Sequence, residues 1–213
     1  MTIAASLWSF VLVVGLLTLT PGLDTALILR TCAVGRRHRA WGVVLGIQTG
    51  TLLWGALSSL GVTALLTASQ LAYQVVRWAG VCYLLWMGGR MLLDTFRGRG
   101  APDSAAQAAL FDGQDTVAGG WRQGALTNLL NPKMGVFYVA VLPQFIPPHV
   151  PHLGMGLLLT SVHIGLGLAW SSLLIAFAGV LRGWLARPGA RRALDRVTGT
   201  VIAAFGIRLA LGD

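Results

Sequence analysis

The sequence predicts an all-α integral membrane protein: six transmembrane helices forming two inverted three-helix repeats, with helices one and four broken. Three observations predict it. First, 55% of the 213 residues are hydrophobic and 11% are charged, with a mean hydropathy of +0.70, whereas charged residues make up about a quarter of a typical soluble domain. Second, the apolar residues fall into six runs of membrane-crossing length, separated by short basic clusters. Third, a proline in polar surroundings interrupts the first run, and another interrupts the fourth. The same composition excludes a disordered chain, which requires low hydrophobicity and high charge.

A helix needs roughly 20 mostly apolar residues to cross about 30 Å of hydrocarbon. The six candidates are residues 3–29, 42–66, 71–93, 120–146, 153–181 and 194–211. The first has no basic leader or small-residue cleavage site and exceeds the apolar core of a secretory signal, so it reads as a retained membrane helix. Residues 94–118, rich in Ala, Gly, Asp and Arg, form a long polar connection on the cytoplasmic side. They divide one membrane domain into a first three-helix repeat over 1–93 and a second over 119–213. Trp8, Trp41, Trp121 and Trp184 fall near span ends, where amphipathic rings favour the headgroup region. Cys32 and Cys82 make neither a disulfide framework nor a metal site, and read as small packing residues.

Charge sets the orientation. The chain has 15 Arg, one Lys, seven Asp and no Glu, for a net charge of +9. Such a basic chain could attract nucleic acid, but here the cations lie in clusters between apolar runs, as in loops facing anionic lipid and cytoplasm. The connections after spans one, three and five hold 13 Arg, from Arg30 through Arg97 to Arg196, against Arg77 and Arg208 on the other side. That asymmetry predicts a multi-pass membrane protein with both termini outside, away from the cytoplasm.

Three spans per half is an odd number, so a repeated half must sit upside down. Thr20-Pro21-Gly22-Leu23-Asp24 interrupts span one, and Asn128-Leu129-Leu130-Asn131-Pro132-Lys133 interrupts span four, with the prolines 111 residues apart. Gly88-Gly89-Arg90 and Gly206-Ile207-Arg208 recur 118 residues apart. Paired breaks at corresponding places are the mark of inverted-repeat transporters. A proline inside a helix deletes one hydrogen bond, and in lipid the freed carbonyls must find protein, water or ion partners. Isolated prolines often make only structural kinks, but here both breaks lie well inside the bilayer and both carry polar side chains.

Asp24 is the sharpest single residue, because an acid at the centre of a span costs roughly 2.5–3.5 kcal/mol. It could hold a proton, a cation or a substrate ammonium, with Lys133, the only lysine, as its natural partner. The plainer alternative is that Asp24 caps the helix restarting after Pro21-Gly22. Gln48, mid-span two, and His163, mid-span five, are counterparts that would face a central cavity, although a buried His is more often a packing residue. The spacings Gly46/Gly50 and Ser161/Gly165 permit close helix approach. The predicted substrate-binding set is therefore Thr20, Pro21, Gly22, Asp24, Gln48, Asn128, Asn131, Pro132 and Lys133, with Asp24 and His163 as proton-coupling residues.

Several of these stretches carry a family resemblance. Thr20-Pro21-Gly22-Leu23-Asp24, then Gly35-Arg36-Arg37 and Gly42-Val43-Val44-Leu45-Gly46-Ile47, follow one another in order. Gly80-Val81-Cys82-Tyr83-Leu84-Leu85-Trp86-Met87-Gly88 comes next, then Gly124 through Asn131-Pro132-Lys133, then Leu142-Pro143-Gln144-Phe145-Ile146. Together they resemble the LysE/RhtB family of bacterial amino-acid exporters. The resemblance implies efflux of amino acids or close derivatives, driven by the proton gradient. Two departures stand out: Leu23 replaces a usual second proline, and Asp24 stands where Asn is common.

On this reading a zwitterionic substrate binds between the breaks in an alternating-access cycle. Helix N-termini favour its carboxylate, and unwound carbonyls with Asp24 favour its ammonium. Protonation of Asp24 outside releases the ammonium. The partners are the amino acid, protons and membrane lipid, with room for a homo-oligomer, and neither nucleic acid nor a cofactor is expected. An alternative is a metal-cation exporter of related fold, but it requires several carboxylate, His or thiolate ligands. An enzyme is not expected: the chain lacks a His-Glu-x-x-His or Walker signature.

Overall fold

A computed structural model describes residues 2–33, 35–68, 70–96, 116–147, 149–185 and 187–211. Among them the regular structure is helical throughout. The first half comprises α1 (Ile3–Leu19), α2 (Leu23–Ala33), α3 (Arg37–Ala68) and α4 (Gln70–Phe96). The second comprises α5 (Val117–Leu129), the short α6 (Pro132–Val136), a π turn over Phe137–Val141 and a 3-10 turn over Leu142–Phe145. It continues with α7 (His152–Ala176), α8 (Ala178–Leu185) and α9 (Pro188–Leu211). The predicted spans 42–66, 71–93 and 194–211 each fall within one helix, while 3–29, 120–146 and 153–181 are each divided among two or more elements. The predicted polar connection lies, for residues 97–115, outside the described residues.

By length and apolar composition, among the described residues, the stretches Arg37–Gly61 and His152–Ala176 are each able to cross a bilayer. The pair Ile3–Leu19 and Leu23–Ala33, bent by 46°, adds a third if it is one broken span.

Local chemistry accounts for the element ends. Thr2 caps α1 by accepting from the Ala5 amide at 3.3 Å, and Thr116 caps α5 by accepting from the Gly119 amide at 2.9 Å. Helix α1 stops at Thr20, whose ψ of 118° is extended, because a residue preceding proline is disfavoured in the α region. At the second break Asn131 is also extended, with ψ 109°, and its side chain accepts from the Lys133 amide as the cap of α6. Between α2 and α3 the chain turns through Gly35 at φ 78°, a left-handed conformation that glycine adopts without a Cβ penalty.

In lipid, helices gain little from hydrophobic transfer and associate through close packing and hydrogen bonds. The α3–α5 seam uses both. A methyl group on Gly42 or Gly46 of α3 would collide with the Val117 or Trp121 carbonyl of α5, and one on Gly124 would collide with the Val43 carbonyl of α3. Along that seam Arg39 donates to Gln123 Oε1 at 2.9 Å, and the Trp121 indole donates to Thr49 Oγ1 at 3.1 Å. Arg39, counted above among the cytoplasmic cations, is thus a buried seam residue. The predicted Ser161/Gly165 contact is not formed: both residues are exposed, and nothing lies within 4 Å of a Cβ built on Gly165.

Helix α3 also packs along α7, and α4 along α9. Two apolar clusters result. One joins Phe10, Val14 and Leu17 of α1 to Phe137, Tyr138, Leu142 and Phe145, with Phe145 edge-on to Phe10 at 5.2 Å. That contact explains the Pro-Gln-Phe stretch as a core anchor. The other cluster joins Leu27 and Ile28 of α2, Val43, Val44 and Ile47 of α3, and Leu174 and Ile175 of α7.

Candidate functional site

A small cavity of about 70 Å³ opens where the two apolar clusters meet. Leu17 and Met134 from one cluster and Ile28, Ile47 and Leu174 from the other form its apolar walls. Its polar lining comes from both breaks: Thr20, Gly22 and Asp24 from the first, Asn131 and Lys133 from the second. Gln48 of α3 and His163 of α7 line it as well, so these two predicted counterparts do face one space.

The breaks are stitched to each other. Pro21 has no N–H to give the carbonyl four residues back, that of Leu17. Lys133 Nζ takes its place, donating to the Leu17 carbonyl at 3.0 Å and to the Thr20 carbonyl at 3.4 Å. Pro132 likewise leaves the Asn128 carbonyl without its helical partner. That oxygen accepts from the Asn131 amide at 3.1 Å and from the Trp54 indole at 3.4 Å. Each proline therefore creates an orphan acceptor, and a side chain from elsewhere in the fold satisfies it.

Asp24 is the second residue of α2 and lies in its first turn, where the helix dipole favours an anion. Its side chain is not the cap of α2. Oδ2 accepts from Asn128 Nδ2 at 3.0 Å, while Oδ1 is buried without a hydrogen-bond partner. Asn128 also donates to Thr51 Oγ1 at 3.4 Å. Asp24 and Lys133 are within electrostatic reach of each other, but the expected direct pair is not formed, because the ammonium is turned to the α1 carbonyls.

Of the predicted set, Thr20, Gly22, Asp24, Gln48, Asn131, Lys133 and His163 are brought together on the cavity wall. Asn128 is not among the lining residues. It is fully buried and stands behind Asp24, holding one carboxylate oxygen. Pro21 and Pro132 contribute by breaking their helices: Pro21 separates α1 from α2, and Pro132 opens α6. His163 is tied to the π turn by a 2.9 Å hydrogen bond between its Nδ1 and the Tyr138 hydroxyl, and the two rings stack 8° from parallel. The π turn that carries Tyr138 is a rare geometry, frequent at functional sites.

Other polar groups at the site escaped the sequence reading. Thr51 holds Asn128, and Thr198 of α9 shares a 2.7 Å hydroxyl–hydroxyl bond with Thr20. Asp195, one turn before Thr198 and at the edge of the sixth predicted span, acts electrostatically on Lys133. Trp170 and Ser171 line the cavity from α7. The available signal was helical spacing: Thr51 follows Gln48 by three residues, and Trp170 follows His163 by seven, which places each pair on one helix face. Among the described residues no group of three or more His, Cys, Asp or Glu is placed to hold a metal ion.

The comparisons with known proteins converge. The family model described as LysE type translocator matches residues 14–213. A homoserine/homoserine lactone efflux protein of Salmonella typhimurium is 30% identical over 206 residues, covering 95% of each chain. An uncharacterized membrane protein of Bacillus subtilis is 24% identical, covering 97% of this chain and 99% of its own. A leucine efflux protein of an Enterobacter species is 25% identical, covering 95% of this chain and 94% of its own. No solved structure matches. With its matched segment running almost from end to end, the chain belongs to the LysE type translocator family.

Proposed function

We propose that this chain is a secondary active exporter of amino acids or close derivatives across the cytoplasmic membrane, coupled to protons and working by alternating access. One observation carries the reading. A single cavity, lined from both helix breaks, holds one carboxylate with an unpartnered oxygen and one ammonium. A zwitterion offers the complement of both. Its ammonium takes the buried, unpartnered Oδ1 of Asp24. Its carboxylate takes the remaining N–H of Lys133, since an ammonium has three donors and two are engaged by carbonyls. The N-terminal end of α2 adds its dipole. The relatives named for homoserine and leucine efflux support the substrate class.

Proton coupling follows from competition at Asp24. A protonated carboxyl does not hold an ammonium, so protonation from the outside releases substrate, and deprotonation from the inside restores the site. His163 stands on the same cavity wall as the second proton-handling group. The alternating motion is rocking of the two halves about the cavity. Packing between corresponding elements, α3 with α7 and α4 with α9, supports an inverted-repeat arrangement of six spans, and the asymmetry of basic residues between the connections supports both termini outside.

The test is amino-acid movement in proteoliposomes of the purified chain, across a substrate panel, with and without an imposed pH gradient. Gradient-dependent movement of one or a few amino acids is expected. Movement of divalent cations with no amino acid moving would overturn the reading in favour of a metal-cation exporter.

A further inference from the structure

The glycines of α3 that face α5 do not all serve the same purpose. A methyl group on Gly42 or Gly46 would meet main-chain carbonyls of α5, which no side-chain movement can clear. At Gly50, one turn on, the three atoms nearest to such a methyl all belong to the Asn128 side chain: Oδ1 at 2.6 Å, Cβ at 3.0 Å and Cγ at 3.1 Å.

Asn128 is the residue that holds Asp24. It is fully buried, and its amide nitrogen donates to Asp24 Oδ2 at 3.0 Å and to Thr51 Oγ1 at 3.4 Å. Its main-chain carbonyl accepts from the Trp54 indole at 3.4 Å. Gly50, Thr51 and Trp54 therefore form one turn of α3 around a single residue of α5, and Gly50 supplies the room for its amide. Thr51 lines the cavity, whereas Gly50 and Trp54 are not among its lining residues.

The two kinds of contact fail differently. A methyl that strikes backbone forces the helices apart, and the close packing that holds a membrane seam is lost. A methyl that strikes the far end of a short side chain is met by a change of rotamer, and the seam is kept. At Gly50 the loss falls on the amide. Turned aside, Asn128 no longer donates to Asp24, and a hydrogen bond to an ionised group is roughly twice as strong as one between neutral groups. The carboxylate is then free to change its own rotamer.

We infer that Gly50 is a positioning residue of the transport site: having no side chain, it seats the Asn128 amide against Asp24 and so fixes where the carboxylate meets the substrate ammonium. This rests on the export reading above and deepens it. Gly50 acts through Asn128 and touches neither substrate nor proton.

The test is a mutant cycle read as export kinetics in proteoliposomes, for the amino acid that the wild-type chain moves fastest in a panel containing homoserine and leucine. Gly50→Ala is expected to raise KM by about tenfold or more, as for one lost hydrogen bond to a charged group, with the maximal rate per folded molecule changed less. Gly46→Ala, whose methyl meets the Trp121 carbonyl, is the packing control. It is expected to lower the yield of folded protein and leave KM unchanged. Asn128→Ala is expected to raise KM as Gly50→Ala does. The double variant is expected to go no further than Asn128→Ala alone, because residues that share one contact are not additive. Additive effects in the double variant overturn the inference, as does a wild-type KM in Gly50→Ala. An equal rise in KM in Gly46→Ala overturns it in favour of seam packing. Asn128→Ala with a wild-type KM overturns it even if Gly50→Ala does not fold. No flux of any amino acid through the wild type overturns the export reading and the inference together.

Discussion

The two helix breaks are alike in construction and unlike in what they leave open. Each places a proline inside a long apolar run and frees the carbonyl four residues back. In the second break that carbonyl, of Asn128, is met by the neighbouring Asn131 amide and by Trp54 of α3. In the first break, the Leu17 carbonyl is met by Lys133, from the other half of the molecule. Both breaks draw a side chain from the other half, but the second also has a local partner in the Asn131 amide, whereas the first relies on Lys133 alone. What remains open also differs. The cation of the second break has two of its donors engaged, whereas the acid of the first keeps one buried oxygen unpartnered. A broken membrane helix needs a polar partner for its backbone before it can offer chemistry to a ligand. Here the lysine is the partner and the aspartate is the offer.

Removing Lys133 breaks this asymmetry most sharply. Lys133→Met fills the space but leaves the Leu17 and Thr20 carbonyls unmet and Asp24 without its nearby cation. We expect a loss of about 1.5–3 kcal/mol, the range for a hydrogen bond to a charged group, together with loss of flux. Unfolding in detergent and proteoliposome transport would measure the two. A variant of near wild-type stability would show that the first break does not rely on the second.

Trp54→Phe probes the other side at lower stakes. The Asn128 carbonyl loses its 3.4 Å indole donor but keeps the Asn131 amide. The expected cost is about 1 kcal/mol, as for one ordinary hydrogen bond, with flux retained. A cost as large as that of Lys133→Met would mean that the two breaks are equally dependent on outside partners.

Much of this arrangement was legible in the sequence because it follows from local chemistry. Prolines in apolar runs mark the breaks, and polar residues beside them mark the cavity wall. An acid, a lysine, Gln48 and His163 inside spans are too costly to be incidental, and the structure gathers them in one place. What was not legible depends on distance between remote segments. Lys133 and Leu17 are 116 residues apart, and nothing local shows that the ammonium prefers carbonyls to the nearby acid. Asn128 reads as a ligand from its position, but the α3–α5 seam turns it away from the lining and behind Asp24. Thr51, Thr198 and Trp170 are of types that serve equally well in ordinary packing or in bonding to their own helix, as Thr18 does with the Val14 carbonyl at 2.7 Å.

The central claim is that Asp24 is the open group through which substrate and proton compete. It is tested most directly by amino-acid flux through Asp24→Asn in proteoliposomes, with and without a pH gradient, beside the wild type. Asparagine is close to isosteric, and its carbonyl can still accept the Asn128 amide that now meets Oδ2 at 3.0 Å, so the variant is expected to fold. The account predicts that its flux no longer responds to the gradient and that uphill export is lost. Export by Asp24→Asn with undiminished gradient dependence would contradict it.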